Sequence, residues 1–458
     1  MTVPLSKLLI ESAMQSLAFK ERTLDRRTFG KTTLGAVAGS TAVASIGNAS
    51  DAFAQATTAT RVPRAIAQLP KNLRTLLDQS HPKFSEGEYA RRHRLLGEVM
   101  QKNNVDALLL VTWLRVGNAT EWVTAWPGLI EAITVFQPGE RMKMFVEYFN
   151  HMPLAQRMAR DCDVQWCEEK GVVKAVDELK KRGVKRVGVI GPLPTVRFRQ
   201  LDAMVPAVNL DGDYIRLRLF QKSQEELDWL RIGAALSDAS MSAIIRETRV
   251  GMTEFELANA VERAYAPWGG QHVIHFIGVT PMSNPDCQVP LQFHRNRKVQ
   301  KGDIVFCELS SAFWHYSGQV LRTFTVESAP TQLYKDLHAT AESVYDSLMK
   351  IIKPGVTLEE MIDATSQVES NGFTTCDDVV HGYGGGYFQP IIGSKSRPAA
   401  VTPKFTLAEN MCMVVQPNVV TKDQKAGVQV GEMIRVTKDG AESMHNMPRG
   451  LFRSGQIV

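Results

Sequence analysis

The chain has no C-x-x-C pair, and its six cysteines (Cys162, Cys167, Cys287, Cys307, Cys376 and Cys412) follow no regular spacing. This excludes a small disulfide-framed scaffold and a cysteine-built zinc module. Cys307 and Cys412 lie in apolar strand-like runs, where buried free thiols are expected. Cys162 and Cys167 are the pair to consider for a disulfide. Strong charge of one sign is also missing: the net charge is +5, with Lys and Arg scattered along the chain. Pairs such as Lys180-Lys181 read as solvated helix faces, so no nucleic-acid partner is expected. Beyond residue 54 no run is long and apolar enough to cross a bilayer, so no membrane span is expected in the mature form. No strand-GxGxxG-helix pattern surrounds Gly384-Gly385-Gly386, and Ser310-Ser311 lacks a nucleophile elbow. Dinucleotide-binding and serine-hydrolase readings are set aside.

What is present is ordinary globular composition, 44% hydrophobic and 22% charged over 458 residues, enough for two domains. Asp25-Arg26-Arg27-Thr28-Phe29-Gly30-Lys31 looks like a twin-arginine motif. The Ala- and Gly-rich stretch from Thr33 to Ile46 and the A-x-A cue Ala52-Phe53-Ala54 follow it in the right order. Residues 1–54 are therefore expected to be a signal peptide read by the twin-arginine export machinery, with a periplasmic or secreted mature protein. Residues 55–84, rich in Pro, Thr and Ala, read as a tether.

From residue 85 to 215 helical patterns alternate with short apolar strands. They include a helix from Tyr89 to Lys102 and strands at Ala107 to Val111, Ile133 to Phe136 and Arg186 to Ile190. This argues for an α/β domain. Ser223-x-x-Glu226 is a capping box opening an apolar-periodic helix, and residues 216–458 continue as strands interrupted by a helix from Leu333 to Ile352.

Several separated pieces then occur in order. Asn296 to Val305 leads, through Gly302-Asp303, into a strand. A hairpin ends at Tyr316-x-x-x-x-x-Arg322-Thr323-Phe324. His381-Gly382-Tyr383-Gly384, Gln416-Pro417 and Val436-Thr437-Lys438-Asp439-Gly440 follow. This series resembles the creatinase, prolidase and aminopeptidase P group. The resemblance implies an α/β (α+β) chain: a creatinase-like N-terminal α/β domain followed by a C-terminal pita-bread domain, in a homodimer.

In metal-dependent members two hairpin carboxylates, one His and two later Glu hold two metal ions, which activate water and polarise a carbonyl. The resemblance maps those positions onto Glu308, Gln319, His381, Gln416 and Gly431, the last with Glu432 beside it. Two carboxylates have become amides and one is gone, so neither a dinuclear metal site nor another cofactor is expected. The acid/base histidines of the group fall at Leu291 and Phe388, with His294 as a possible substitute for the first.

The implied function is metal-independent, creatinase-like hydrolysis of a C–N bond in a small charged molecule: an amidine, an amide or a modified amino acid. Glu308 and His381 are the catalytic candidates. Gln319, Gln416, Arg322, His294, Tyr383 and Trp113 are substrate-binding candidates, with Arg322 supporting Glu308 and Trp113 and Arg115 reaching a partner's pocket. The alternatives are a non-catalytic binding protein that reuses the pocket, a lyase, or a mononuclear-metal enzyme using Glu308, His381 and Glu432.

Overall fold

The computed structural model describes residues 62–114, 116–384, 386–399 and 404–458. The twin-arginine segment, its cleavage cue, Arg115 and Gly385 lie outside the described residues. Residues 64–77, assigned to the tether, form two short helices, Arg64–Ala67 and Lys71–Leu77. Ile66, Leu69 and Leu73 insert into the same core as the long helix Gln224–Glu247, so burial of apolar side chains overrides the tether-like composition.

The first sheet runs in the order β4 (Cys162–Trp166), β3 (Met142–Val146), β2 (Ala132–Phe136), β1 (Ala107–Thr112), β5 (Val187–Ile190), β6 (Ala207–Asn209). The apolar run Ala107-Leu108-Leu109-Leu110-Val111 takes the centre because helices cover both faces. Leu108 and Leu110 enter one core, and Ala107, Leu109 and Val111 enter the other. Cys162 and Cys167 end in these two different cores and are both free. Five residues of extended chain separate them by about 16 Å, far beyond disulfide reach. The boundary expected at residue 215 falls inside the helix Asp211–Phe220, whose Tyr214 and Leu217 pack on the first sheet while Leu219 packs on the second.

The second sheet starts from β7 (Gln271–Pro281), β8 (Asp303–Phe313) and β9 (Tyr316–Thr325). β10 (Thr374–Thr375) stands apart and pairs with β14 (Val419–Val420). Next come β11 (Val380–Tyr383), β12 (Tyr387–Ile392), β13 (Cys412–Val415) and β15 (Gly431–Val436), with β16 (Ala441–Ser443) and β17 (Phe452–Arg453) flanking. The order is β12-β11-β13-β15-β9-β8-β7. The helix Gln224–Glu247 begins at the expected capping box and lies directly on β9. Gly318 makes that approach possible, since a Cβ there would come within 2.3 Å of Ala234 Cα. The helix Gln332–Ile351 covers another part of this sheet through Tyr334, Leu337, Val344 and Leu348. Among the described residues, no helix is long and apolar enough to cross a membrane.

Candidate active site

Strand parity decides which side chains meet. β8 and β9 pair so that Glu308 opposes Leu321 and Ser310 opposes Gln319. β15 brings Gly431 opposite Leu321, and β11 brings His381 opposite Val414 of β13. Opposed residues share a face, and alternate residues return to it. Glu308, Gln319, His381, Gln416, Gln429 and Gly431 therefore belong to one face of the sheet.

On that face Gln319 Nε2 donates to Glu308 Oε1 at 2.8 Å and to Gln416 Oε1 at 3.1 Å. Gln429 Nε2 donates to the other carboxylate oxygen of Glu308 at 2.9 Å. Glu308 is 5% exposed and no cation reaches it. Burial, with the nearby Asp377 and Asp378, pushes its carboxyl up to about 8. His381 is buried as well, and burial lowers its imidazole despite Asp378. Its Nδ1 lies 3.1 Å from Gly382 O, while Nε2 has no hydrogen-bond partner. With Nδ1–H donating to that carbonyl, Nε2 carries the lone pair. Tyr383 sits 5.6 Å from the imidazole, centroid to centroid, and its hydroxyl accepts from Ser317 Oγ at 2.9 Å.

Four residues of this site are absent from the sequence reading: Asp377, Asp378, Gln429 and Tyr387. Asn418 Nδ2 donates to both oxygens of Asp377, at 3.1 and 3.2 Å, and burial together with Asp378 raises Asp377 to about 7. Tyr387 donates to Asp378 Oδ1 at 2.9 Å and lies flat on the His381 ring, with centroids 4.2 Å apart. The site is thus more acidic than the single carboxylate, Glu308, expected from the sequence. The available signal was the acid pair Asp377-Asp378 just before Val379-Val380-His381. The pairing of β11 with β12, which puts Tyr387 opposite Tyr383, brings the Tyr387 ring over His381.

Three expected site residues lie elsewhere. Arg322 opposes Cys307 and so points to the opposite face from Glu308. It binds Glu432 Oε2 at 2.5 Å and the carbonyls of Gly431, Met447 and Pro448. His294 lies at the outer edge of β7, with Nε2 2.8 Å from His275 O. Trp113 extends from the first sheet, and the Arg197 guanidinium stacks 4.8 Å from its ring centroid.

The donor set does not fit the metal ions that the resemblance implies. Glu308 has both oxygens engaged by amides, and Glu432 is committed to Arg322 on the other face, which removes the mononuclear Glu308-His381-Glu432 arrangement. At Gly431 the backbone is left-handed (φ +146°), and a Cβ would lie 2.1 Å from Val415 O, so no ligand side chain can stand there. Among the described residues, no three His, Cys, Asp or Glu side chains are gathered to hold a metal ion.

Two sheets with this order, and a buried polar site on one face of the second, define a pita-bread protein with an N-terminal α/β region. Residues 228–438, just under half of the chain, match the model of metallopeptidase family M24. An Xaa-Pro dipeptidase of Pyrococcus horikoshii is 22% identical over 370 residues, covering 78% of this chain and 97% of that protein. A creatinase of a Bacillus species is 22% identical over 285 residues, 60% of this chain and 69% of that protein. The solved X-Pro aminopeptidase from Thermotoga maritima superposes with a TM-score of 0.68 at 17% identity, covering 79% of this chain and 99% of that one. At such identity the solved structures establish the fold alone.

Proposed function

We propose that this protein is an exported, homodimeric hydrolase that cleaves a C–N bond of a small nitrogen-containing molecule without a metal ion at the inherited site. The observation that carries the reading is the opposed tuning of Glu308 and His381. Near neutral pH a carboxyl raised to about 8 still holds its proton, while a buried imidazole with lowered affinity has an open lone pair. These are the starting states of a general acid and a general base. His381 Nε2 takes a proton from water as its oxygen bonds the substrate carbon. Glu308 gives its proton to the nitrogen as the C–N bond breaks, and proton return from His381 to Glu308 resets the pair. Gln319 and Gln416 lie beside the two residues and orient the substrate. Asp377 and Asp378 favour a cationic group such as an amidinium or ammonium. Substrate reaches Nε2 once the half-exposed Tyr387 ring swings off the imidazole.

A second reading, a non-catalytic binding protein, is favoured by the hydrogen-bond chain Gln416–Gln319–Glu308–Gln429 that occupies the site. One assay separates them: chelator-treated protein against a panel of amidines, amides, dipeptides and N-modified amino acids. Turnover that persists with chelator and disappears in both His381→Ala and Glu308→Gln supports the hydrolase. Chelator-sensitive turnover sinks metal independence. Binding without turnover, unchanged in both folded variants, supports the second reading.

A further inference from the structure

One side chain from β12 touches both His381 and Asp378. The strand pairs with β11 so that Tyr387 opposes Tyr383, on the face to which His381 also belongs. The Tyr387 ring stacks on the imidazole, with centroids 4.2 Å apart and 28° between the planes. Its hydroxyl donates to Asp378 Oδ1 at 2.9 Å. Burial and the acids Asp378, Asp377 and Glu308 hold the phenol above its ordinary range, so it remains a hydrogen-bond donor. Gln416 Nε2 approaches Asp378 Oδ2 only to 3.5 Å, and both of these partners are neutral. A cation with N–H groups offers the same carboxylate Coulomb attraction as well as hydrogen bonds. The ring has room to leave. Tyr387 is 51% exposed, and β12 is the edge strand, with no strand beyond it. Rotation about Cα–Cβ to another staggered position takes the ring off the imidazole.

We infer that Tyr387 is a specificity-determining residue, a cover over His381 that a cationic substrate opens by taking over its hydrogen bond to Asp378. This rests on the cationic preference proposed above and gives that preference a second effect. A cationic group that pairs with Asp378 displaces the phenol, and the released ring uncovers Nε2 for water. A neutral molecule of the same shape has no charge to set against the Tyr387 hydrogen bond, so the imidazole stays covered. Discrimination then comes from competition for one carboxylate rather than from the size of the site.

The test sets acetamidinium against acetamide, which share a shape and differ in charge, by calorimetric titration of the full chain. Wild type binds acetamidinium more tightly than acetamide. Tyr387→Phe keeps the ring and removes the competing hydroxyl, so it should bind acetamidinium about tenfold tighter or more. Asp378→Asn should bind it about tenfold weaker or more. A second measurement reads the cover itself. Diethyl pyrocarbonate acylates an uncovered, unprotonated imidazole, and peptide mass spectrometry follows His381 alone. In the ligand-free protein at neutral pH, His381 should react about tenfold faster or more in Tyr387→Phe than in wild type. Circular dichroism confirms that each variant is folded. Absence of acetamidinium binding, equal acetamidinium affinity in wild type and Tyr387→Phe, or equal acylation of His381 in those two proteins would each overturn the inference. Neither measurement needs turnover. A protein that passes both yet turns over nothing in the substrate panel keeps the cover and loses the hydrolase, so the two failures are told apart.

Discussion

Glu226 and Glu308 are both buried carboxylates, and their surroundings drive them in opposite directions. Burial pushes both up. Around Glu226, Arg92, Arg218, the Trp122 indole N–H and Arg91 reverse the push and hold it at about 2. Around Glu308 the neighbours are amides and two more carboxylates, so it rises to about 8. Glu226 is a structural anion: it accepts from Arg91 at 2.9 Å, from Trp122 Nε1 at 2.9 Å and from Tyr316 OH at 2.9 Å. Glu308 has no such cation beside it. Equal burial gives opposite chemistry because the sign of the neighbouring charge, not depth, decides which protonation state is stable.

The comparison breaks most sharply at Glu226. Glu226→Gln leaves Arg218 buried without this counter-charge and Arg92 with Glu88 alone. It should cost about 3–5 kcal/mol in urea unfolding, whereas Glu308→Gln, which keeps a hydrogen-bonding amide among amides, should cost far less. If the two variants unfold at similar urea concentrations, the distinction fails.

The pH dependence should differ in sign. Glu308 has a raised pKa, so its contribution is complete below its ordinary 4.5 and is lost as pH rises toward about 8. Glu226 is depressed, so its contribution is present above 4.5 and is lost as pH falls toward about 2. Each slope is at most about 1.4 kcal/mol per pH unit. Relative to wild type, Glu308→Gln should flatten the curve between pH 4.5 and 8 and nowhere else. Turnover, on the proposed mechanism, should fall as pH passes about 8.

Placing a carboxylate at Gly431, where the resemblance puts a metal ligand, sharpens the contrast between the two buried acids. Gly431→Glu forces a side chain onto a left-handed backbone against Val415 O and should cost about 1–3 kcal/mol. It should add no metal binding at the inherited site, as measured by metal content after dialysis. A stable variant that gains tightly held metal would overturn the fit argument. The smallest effect is expected at Tyr387→Ala: within about 1 kcal/mol in stability, because the ring is half exposed, yet with faster access to His381 seen as a change in KM.

Much of the fold was legible. The Leu-rich run at 107–111, the capping box at Ser223 and the helix after Leu333 all appear within a few residues of their expected bounds, because periodicity and caps are local signals. The site was legible in part. Glu308, Gln319, His381 and Gln416 do lie on one face. Arg322 was misassigned because nothing in Gln319-Val320-Leu321-Arg322 announces which residues face the site until the register with β8 is known. Asp377 and Asp378 were overlooked because an acid pair ahead of a strand is ordinary surface composition, and only pairing of β11 with β13 carries it beside Gln416.

The residue types and their spacing alone determined the elements and the pita-bread frame, since those properties are written locally along the chain. Tertiary structure alone decided that Glu226, a helix-capping residue by its sequence, also serves as the counter-charge for buried arginines. It also decided that Glu308 sits among amides and acids, which raise its carboxyl, and that Arg322 pairs with Glu432. The physical reason is the same in each case. A charge takes its state from groups within a few ångströms, and here those groups come from parts of the chain up to 135 residues away.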